Sequence, residues 1–248
     1  AGSPAIRQAY GNASGTNREC SGAAEEYASM VDKLDRQVGA IVDQVRKLGL
    51  DKRTIIIFSS DNGHELYYRT DKGRGRGPDC HGGVLDGTGE LLDVFRGSRG
   101  RVGPNNAMAN LAGLKWTSHE GGIRVPLIIS WPGTLPHGKV CHSLVANYDH
   151  MASFADLAGI RMPEGKDAVS YMDILSGNSA RQRDYVVVDH TVITGDGWKL
   201  TQKQNKPFLF HIGRDPEERN NLAGTRKDQL EKLRAIYRKE VGSPRKDR

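Results

Sequence analysis

The sequence predicts an α/β fold, in which helices flank a mostly parallel sheet and a small antiparallel sheet with one helix follows at the C-terminal end. Three observations support this prediction. An amphipathic helical pattern leads into a β-branched run, a second apolar run follows at residues 125–130, and shorter strand patterns precede a terminal helix beyond residue 164. We therefore divide the chain into an α/β body, residues 1–163, and a small α+β part, residues 164–248.

The first helical pattern extends from Glu25 to Leu48. Apolar residues recur at steps of three and four with charged residues between them, and Gly49 follows the last one. This spacing predicts an amphipathic helix that ends at a glycine. Residues 54–58 then form the continuous run Thr-Ile-Ile-Ile-Phe, which is typical of a strand buried on both faces of a parallel sheet.

A long loop and a series of shorter elements follow. Residues 64–113 are rich in Gly and Arg and poor in apolar side chains, and connections of this length often carry function. The remaining patterns predict strands at residues 125–130, 185–188, 198–201 and 208–212 and helices at residues 149–157 and 226–241.

Composition excludes some classes of protein. No apolar run in the 248 residues approaches the roughly 18 to 20 that cross a bilayer, so we expect no membrane span. The net charge is +6, but residues 226–248 hold nine basic and four acidic side chains and so contribute +5 of it. Because the remainder is nearly neutral, the basic pI gives little support to a nucleic-acid partner, and none is expected.

Two places in the sequence offer site chemistry. Asp61 and Asn62 directly follow the first predicted strand, where ligands collect in open α/β sheets. Their oxygens are hard ligands suited to Ca²⁺ or Mg²⁺, although Asp-Asn-Gly is also an ordinary turn sequence. Lys115 is a compact cation able to bind an anionic oxygen, or a solvated surface lysine. From the residues alone, both alternatives stay open at each place.

Four blocks of sequence occur in a specific order. They are residues 27–39, residues 54–64, residues 120–126 with 131–133, and residues 196–200 with 215–218 and 221–223. In this order they resemble the C-terminal half of type I sulfatases, the formylglycine-dependent family of the alkaline-phosphatase-like superfamily, over about residues 25–240. The resemblance implies an alkaline-phosphatase-like fold and the hydrolysis of sulfate esters. It also implies a formylglycine nucleophile and a divalent cation, Ca²⁺ or Mg²⁺.

The resemblance assigns roles to particular residues. Asp61 and Asn62 match the second pair of metal ligands of the family. Lys115, five residues before Glu120, matches the lysine that binds the sulfate group and offsets charge on its oxygens and on the leaving alkoxide. His64 lies beside the metal pair and is expected to contact the substrate. Four residues are expected to position Lys115, namely Glu120, Gly121, Gly122 and Arg124.

The sequence also departs from the family. It contains no Cys/Ser-x-Pro-x-Arg motif, from which formylglycine is made, and it lacks the first carboxylate pair and the upstream catalytic His and Lys of the family. We therefore interpret the chain as a C-terminal piece whose missing N-terminal half supplies these groups, and we expect this chain alone to be inactive. The expected substrate is a sulfated small molecule or carbohydrate. Because such enzymes are commonly exported, the resemblance favours a periplasmic or secreted location.

Two alternatives remain open at this point. A phosphatase or phosphodiesterase of the same superfamily would generally need a second metal site with further Asp and His ligands downstream. A non-catalytic relative would bind sulfated glycan through the arginines of the long loop and the basic tail, and that binding would fall steeply with salt.

Overall fold

The structure is a computed structural model, and it describes most of the chain. The described residues are 18–63, 69–70, 73–74, 111–112, 115, 117–177, 183–203 and 206–242, with side chains from residue 29 onward except at residues 69–70 and 73–74. The expected substrate contact of His64 and most of the 64–113 loop lie outside the described residues. Contacts group the chain into two compact units, one of residues 1–54 and 62–126 and the other of residues 55–61 and 127–248. The sequence-based division at residue 163 stays a prediction.

The first unit contains a long helix, α1, Arg18–Lys47. The predicted amphipathic helix is confirmed, and it begins seven residues before the predicted start at Glu25. Gly49 ends it in the left-handed region at φ 65°, a conformation that glycine adopts without steric cost. Much of its apolar face is exposed, including Met30, Leu34 and Ile41. A short 3₁₀ turn, Asp51–Arg53, follows.

The same unit holds three short elements after the first strand of the chain. Strands β2, Arg69–Thr70, and β3, Gly73–Arg74, pair antiparallel with each other. The four-residue helix α2, Glu120–Ile123, has three buried residues at its start. This helix matters for the site because the loop that carries Lys115 leads into it.

In the second unit, β1, Ile56–Ser59, pairs with β4, Leu127–Ser130. The pairing is antiparallel, and Ile57 lies opposite Ile129. The expected parallel environment, with burial on both faces, is therefore wrong for this pair, since β1 is only half-buried and Ile128 of β4 is exposed. A β-branched run indicates an extended backbone, but the direction of its neighbour depends on a distant segment that local sequence does not specify.

Two helices separate this pair from the C-terminal sheet. Helix α3, Asp149–Leu157, confirms the predicted short helix, and Gly159 follows it at φ 66°. Helix α4, Met172–Leu175, is a single turn that was not predicted. Within the described ranges, no helix combines the length and the apolarity needed to cross a bilayer.

The C-terminal part is an antiparallel sheet with a helix packed on it, as predicted, but the sheet has four strands and not the three that the sequence patterns indicate. The strands are β5, Tyr185–Val188, β6, Thr191–Thr194, β7, Trp198–Lys203, and β8, Lys206–His211, in that spatial order, and the helix is α5, Lys227–Glu240. Its core consists of Val192, Leu200, Leu209, Leu230, Leu233 and Tyr237. These side chains come from both the sheet and the helix, so their burial against each other holds the two layers together.

The outer edge of this sheet is covered by the segment after β8. The side-chain oxygen of Asn221 accepts a hydrogen bond from Leu209 N at 3.0 Å, and Leu222 N donates to Leu209 O at 2.7 Å. Because these bonds satisfy the backbone of β8, the edge offers fewer groups to another strand.

Candidate active site

The turn after β1 holds the first predicted site residues. Asp61 and Asn62 follow β1 with only Ser60 between, as the sequence indicates. The Ser60 hydroxyl donates to Asp61 Oδ1 at 3.5 Å, and Asn147 Nδ2 donates to Ser60 O at 3.3 Å. Asn147 therefore fixes the backbone directly before Asp61. The boundary between the two compact units falls between Asp61 and Asn62.

In the other unit, Asn62 and Gly63 lie against the start of α2. The side-chain nitrogen of Asn62 donates to Gly63 O at 2.7 Å. This bond places the amide nitrogen of Asn62 next to Gly63 O and the amide oxygen on the side away from it. Gly63 is buried, and its N–H donates to Gly122 O at 2.8 Å. The turn that carries Asn62 is thus attached to the Gly121–Gly122 backbone.

Lys115 lies in a loop that closes on the same pair of glycines. Gly121 N donates to Ala112 O at 2.6 Å, and Lys115, which is half-buried, lies between these two residues in the chain. Glu120 is almost fully buried, and its carboxylate lies 3.9 Å from the guanidinium of Arg124. The structure therefore brings the Asn62 turn together with both ends of the Lys115 loop.

The donor chemistry fits part of a cation shell. Asp61 offers a carboxylate and Asn62 an amide oxygen, which are the ligand types that Ca²⁺ and Mg²⁺ prefer. Such cations take about six or more oxygens, so these two residues supply a share of the shell. Among the residues that the structure describes, no group of three or more His, Cys, Asp or Glu side chains could hold a metal ion.

Two features of the site were missed by sequence analysis. Asn147 contacts the turn across 87 positions of sequence, and nothing in its neighbourhood signals that contact. The sequence Asp-Asn-Gly leaves an ordinary turn open, but Gly63 lies outside the left-handed region and is buried against the Gly121–Gly122 backbone, so close approach explains the glycine. Only knowledge of the facing segment, residues 121–122, could have shown this.

The elements described above match an alkaline-phosphatase-like α/β fold. A solved chain from work on the metabolism of multiple glycosaminoglycans by Bacteroides thetaiotaomicron superimposes with a TM-score of 0.62 at 24% identity, covering 83% of this chain and 42% of the other. A second structure, solved in complex with its substrate D-glucosamine-2-N,6-O-disulfate, gives a TM-score of 0.55 at 19% identity, covering 87% and 41%. The fold class predicted from the sequence is confirmed.

Family comparison goes further than the fold. The sulfatase family model matches residues 4–160, and the model described as N-sulphoglucosamine sulphohydrolase, C-terminal, matches residues 115–246. The N-acetylgalactosamine-6-sulfatase of Sus scrofa is 25% identical over an alignment 248 residues long. The alignment covers 85% of this chain and 41% of that protein. The chain belongs to the sulfatase family.

The chain matches only part of the length of each of these relatives. The chain spans about two fifths of the length of the curated sulfatases to which it is similar, 41% in the pig protein. Members of the family generally use a formylglycine and a divalent cation. The comparisons do not favour the alternatives of a phosphatase, a phosphodiesterase or a non-catalytic glycan-binding protein.

Proposed function

We propose that this chain forms part of the active site of a sulfuric ester hydrolase. The observation that carries the proposal is the attachment of the Asn62 turn to the loop of Lys115 through Gly121 and Gly122. That attachment brings a segment with an oxygen ligand for a hard cation to the loop that carries a cationic side chain. Such a pair suits an ester with anionic oxygens, and family membership supports a sulfate ester as that substrate.

Asp61, Asn62 and Lys115 have different tasks in this proposal. The oxygens of Asp61 and Asn62 would hold Ca²⁺, or Mg²⁺ in its place. When bound, the cation polarises the sulfate group and lowers the cost of charge that develops on its oxygens. The ammonium of Lys115 binds a sulfate oxygen and stabilises the leaving alkoxide. His64 contacts the substrate beside the cation ligands.

The nucleophile belongs to another segment in this proposal. The 248 residues contain no Cys/Ser-x-Pro-x-Arg motif, and the curated relatives are more than twice as long as the aligned region. We propose that an N-terminal half of the same protein supplies the formylglycine and the remaining cation ligands. The chain by itself is then inactive, and the assembled enzyme is periplasmic or secreted.

The proposed substrate class is a sulfated carbohydrate or a sulfated small molecule. Two relatives support the carbohydrate, one by its name as an N-acetylgalactosamine-6-sulfatase and one by its bound glucosamine disulfate. Because both share less than a third of their residues with this chain, they support the class of substrate and leave the particular sugar to be measured.

Lys115→Ala tests the proposal in the polypeptide encoded by the complete reading frame. Loss of a charge that stabilises the transition state is expected to lower kcat/KM for an aryl sulfate about 100-fold. The exposed Lys139, changed to Ala, is the matched control and should leave turnover unchanged. Asp61→Ala should weaken Ca²⁺ binding in calorimetric titration. An enzyme that retains its turnover after Lys115→Ala would contradict the role of this lysine.

A second measurement separates catalysis from simple anion binding. The Lys115→Ala and unchanged proteins are eluted from a heparin column with a salt gradient. A glycan-binding protein that uses its surface arginines would elute at the same salt in both forms and turn over no sulfate ester. Sulfate-ester turnover that depends on Lys115 and on added cation, whatever the elution point, supports the hydrolase.

A further inference from the structure

Three segments that are distant in sequence are joined by two successive backbone hydrogen bonds. Gly63 N donates to Gly122 O at 2.8 Å, and the adjacent Gly121 N donates to Ala112 O at 2.6 Å. Residues 63, 112, 121 and 122 are all buried. Because Lys115 lies between Ala112 and Gly121, the second bond closes its loop and the first attaches that loop to the Asn62 turn.

The contact leaves no room for a side chain at residue 63. A Cβ atom built on Gly63 would lie 1.8 Å from Gly121 O and 2.7 Å from both Gly121 C and Gly122 Cα. All three are backbone atoms, so they cannot rotate aside as the end of a side chain could. Since the φ angle of Gly63 lies outside the left-handed region, close approach is the reason that glycine is required there.

We propose that Gly63 is a positioning residue that holds the Lys115 loop in place through Gly121 and Gly122. The assignment rests on the proposed function for the role of Lys115, whereas the mechanical connection stands on the contacts alone. A side chain at residue 63 displaces the Asn62 turn from Gly121–Gly122. The buried N–H of Gly63 and the carbonyl of Gly122 then lose their bond, and the loop loses its support.

Gly63→Ala and Gly39→Ala form a matched pair of variants. A Cβ at Gly39, in the middle of α1, meets no atom within 4 Å, and its φ angle is also outside the left-handed region. Hydrogen exchange is followed by mass spectrometry in the 248-residue chain. Exchange of peptides within residues 111–124 is expected to accelerate about 10-fold or more in Gly63→Ala and to stay unchanged in Gly39→Ala. Exchange of residues 185–240 should stay unchanged in both, which shows that the C-terminal sheet remains folded.

Unchanged exchange of residues 111–124 in Gly63→Ala would overturn the proposal. If that variant does not fold, the unaltered chain provides the test. If the two bonded segments open together, one opening event exposes both amides. Gly63 and Gly121 should then exchange with the same opening equilibrium constant, within about 3-fold, in residue-resolved NMR exchange. Constants that differ by more than about 10-fold would show that the two segments open independently, and the proposal would be wrong.

Kinetics in the polypeptide encoded by the complete reading frame separate positioning from general destabilisation. If Gly63 acts through Lys115, the double variant Gly63→Ala/Lys115→Ala is expected to lose less kcat/KM than the product of the two single losses. A loss of kcat/KM in the double variant that equals the product of the two single losses would contradict the coupling. If Lys115→Ala keeps its activity while exchange of the loop still responds to Gly63→Ala, the proposed function fails and the mechanical connection stands.

Discussion

Lys199→Met is expected to destabilise the C-terminal sheet by about 3 to 5 kcal/mol. Lys199 lies on β7, and its Nζ is 2.9 Å from Oε1 of Glu218, with both side chains fully buried. Methionine fills nearly the same volume but removes the positive charge. The buried Glu218 carboxylate then loses the Lys199 ammonium, and breaking a buried pair by removing one partner costs more than the ion pair itself contributes.

Urea denaturation followed by tryptophan fluorescence measures this effect, because one of the three tryptophans, Trp198, begins the same strand. The exposed pair Arg161–Glu164, whose atoms lie 3.2 Å apart, provides the control. Arg161→Met should change the free energy of unfolding by less than about 1 kcal/mol, since water screens such pairs. A loss below about 1 kcal/mol for Lys199→Met would mean that the Glu218 charge is solvated on removal of its partner.

Asp149→Ala is expected to be almost as destabilising, by about 3 to 4 kcal/mol. The buried carboxylate of Asp149, at the start of α3, accepts hydrogen bonds from the Arg183 guanidinium, from Ala146 N at 2.8 Å and from Val169 N at 2.9 Å. Arg183 is only 10% exposed. Truncation therefore leaves one cation and two N–H groups without this acceptor.

The neighbouring contacts of Arg183 show how tightly it is held. Its guanidinium donates to Asp167 O at 2.9 Å and lies 4.9 Å from the centre of the Tyr148 ring. Burial raises the pKa of the Tyr148 phenol above 10, although Arg183 acts in the opposite direction. The side chain thus has little freedom to reach water after Asp149 is removed.

Asp156→Ala is the matched control for Asp149→Ala. Asp156 lies on the same helix and is exposed, and it accepts one bond from the Ser170 hydroxyl at 2.7 Å. Its loss should cost less than about 1 kcal/mol in thermal or urea unfolding. The double variant Asp149→Ala/Arg183→Met should be more stable than Asp149→Ala alone. If it is less stable, Arg183 contributes mainly by packing and not by its pairing with Asp149.

Sequence patterns predicted the helices and strands that depend mainly on residues close to one another in the chain. The steps of three and four in α1 and the short strand patterns of β7 and β8 depend on neighbouring residues, so the sequence shows them directly. Strand β6 was missed, although Asp189 and His190 separate it from β5 as a two-residue hairpin turn would. Asp189, at φ 51°, adopts the left-handed conformation that such a turn requires.

Contacts between distant segments explain what sequence could not supply. The direction of β4 beside β1, the approach of Gly63 to Gly121 and the bond from Asn147 to Ser60 each join residues more than 50 positions apart. The buried ion pair of Lys199 and Glu218 escaped notice for a different reason, because a lysine in a strand ordinarily points to solvent. The roles of Asp61, Asn62 and Lys115 remain predictions that the variants above test.

The pairing of β1 with β4 also bears on the order in which the chain acquires its structure. These strands can meet only after residues 60–126 have closed into a loop, whereas β5 to β8 are joined by short connections. Short hairpins close in about 1 to 10 μs, and the entropic cost of closure rises with loop length. The C-terminal sheet should therefore assemble early, and β1 should pair with β4 late. Pulsed hydrogen exchange during refolding would show this as protection of Leu200 and Leu209 before Ile57.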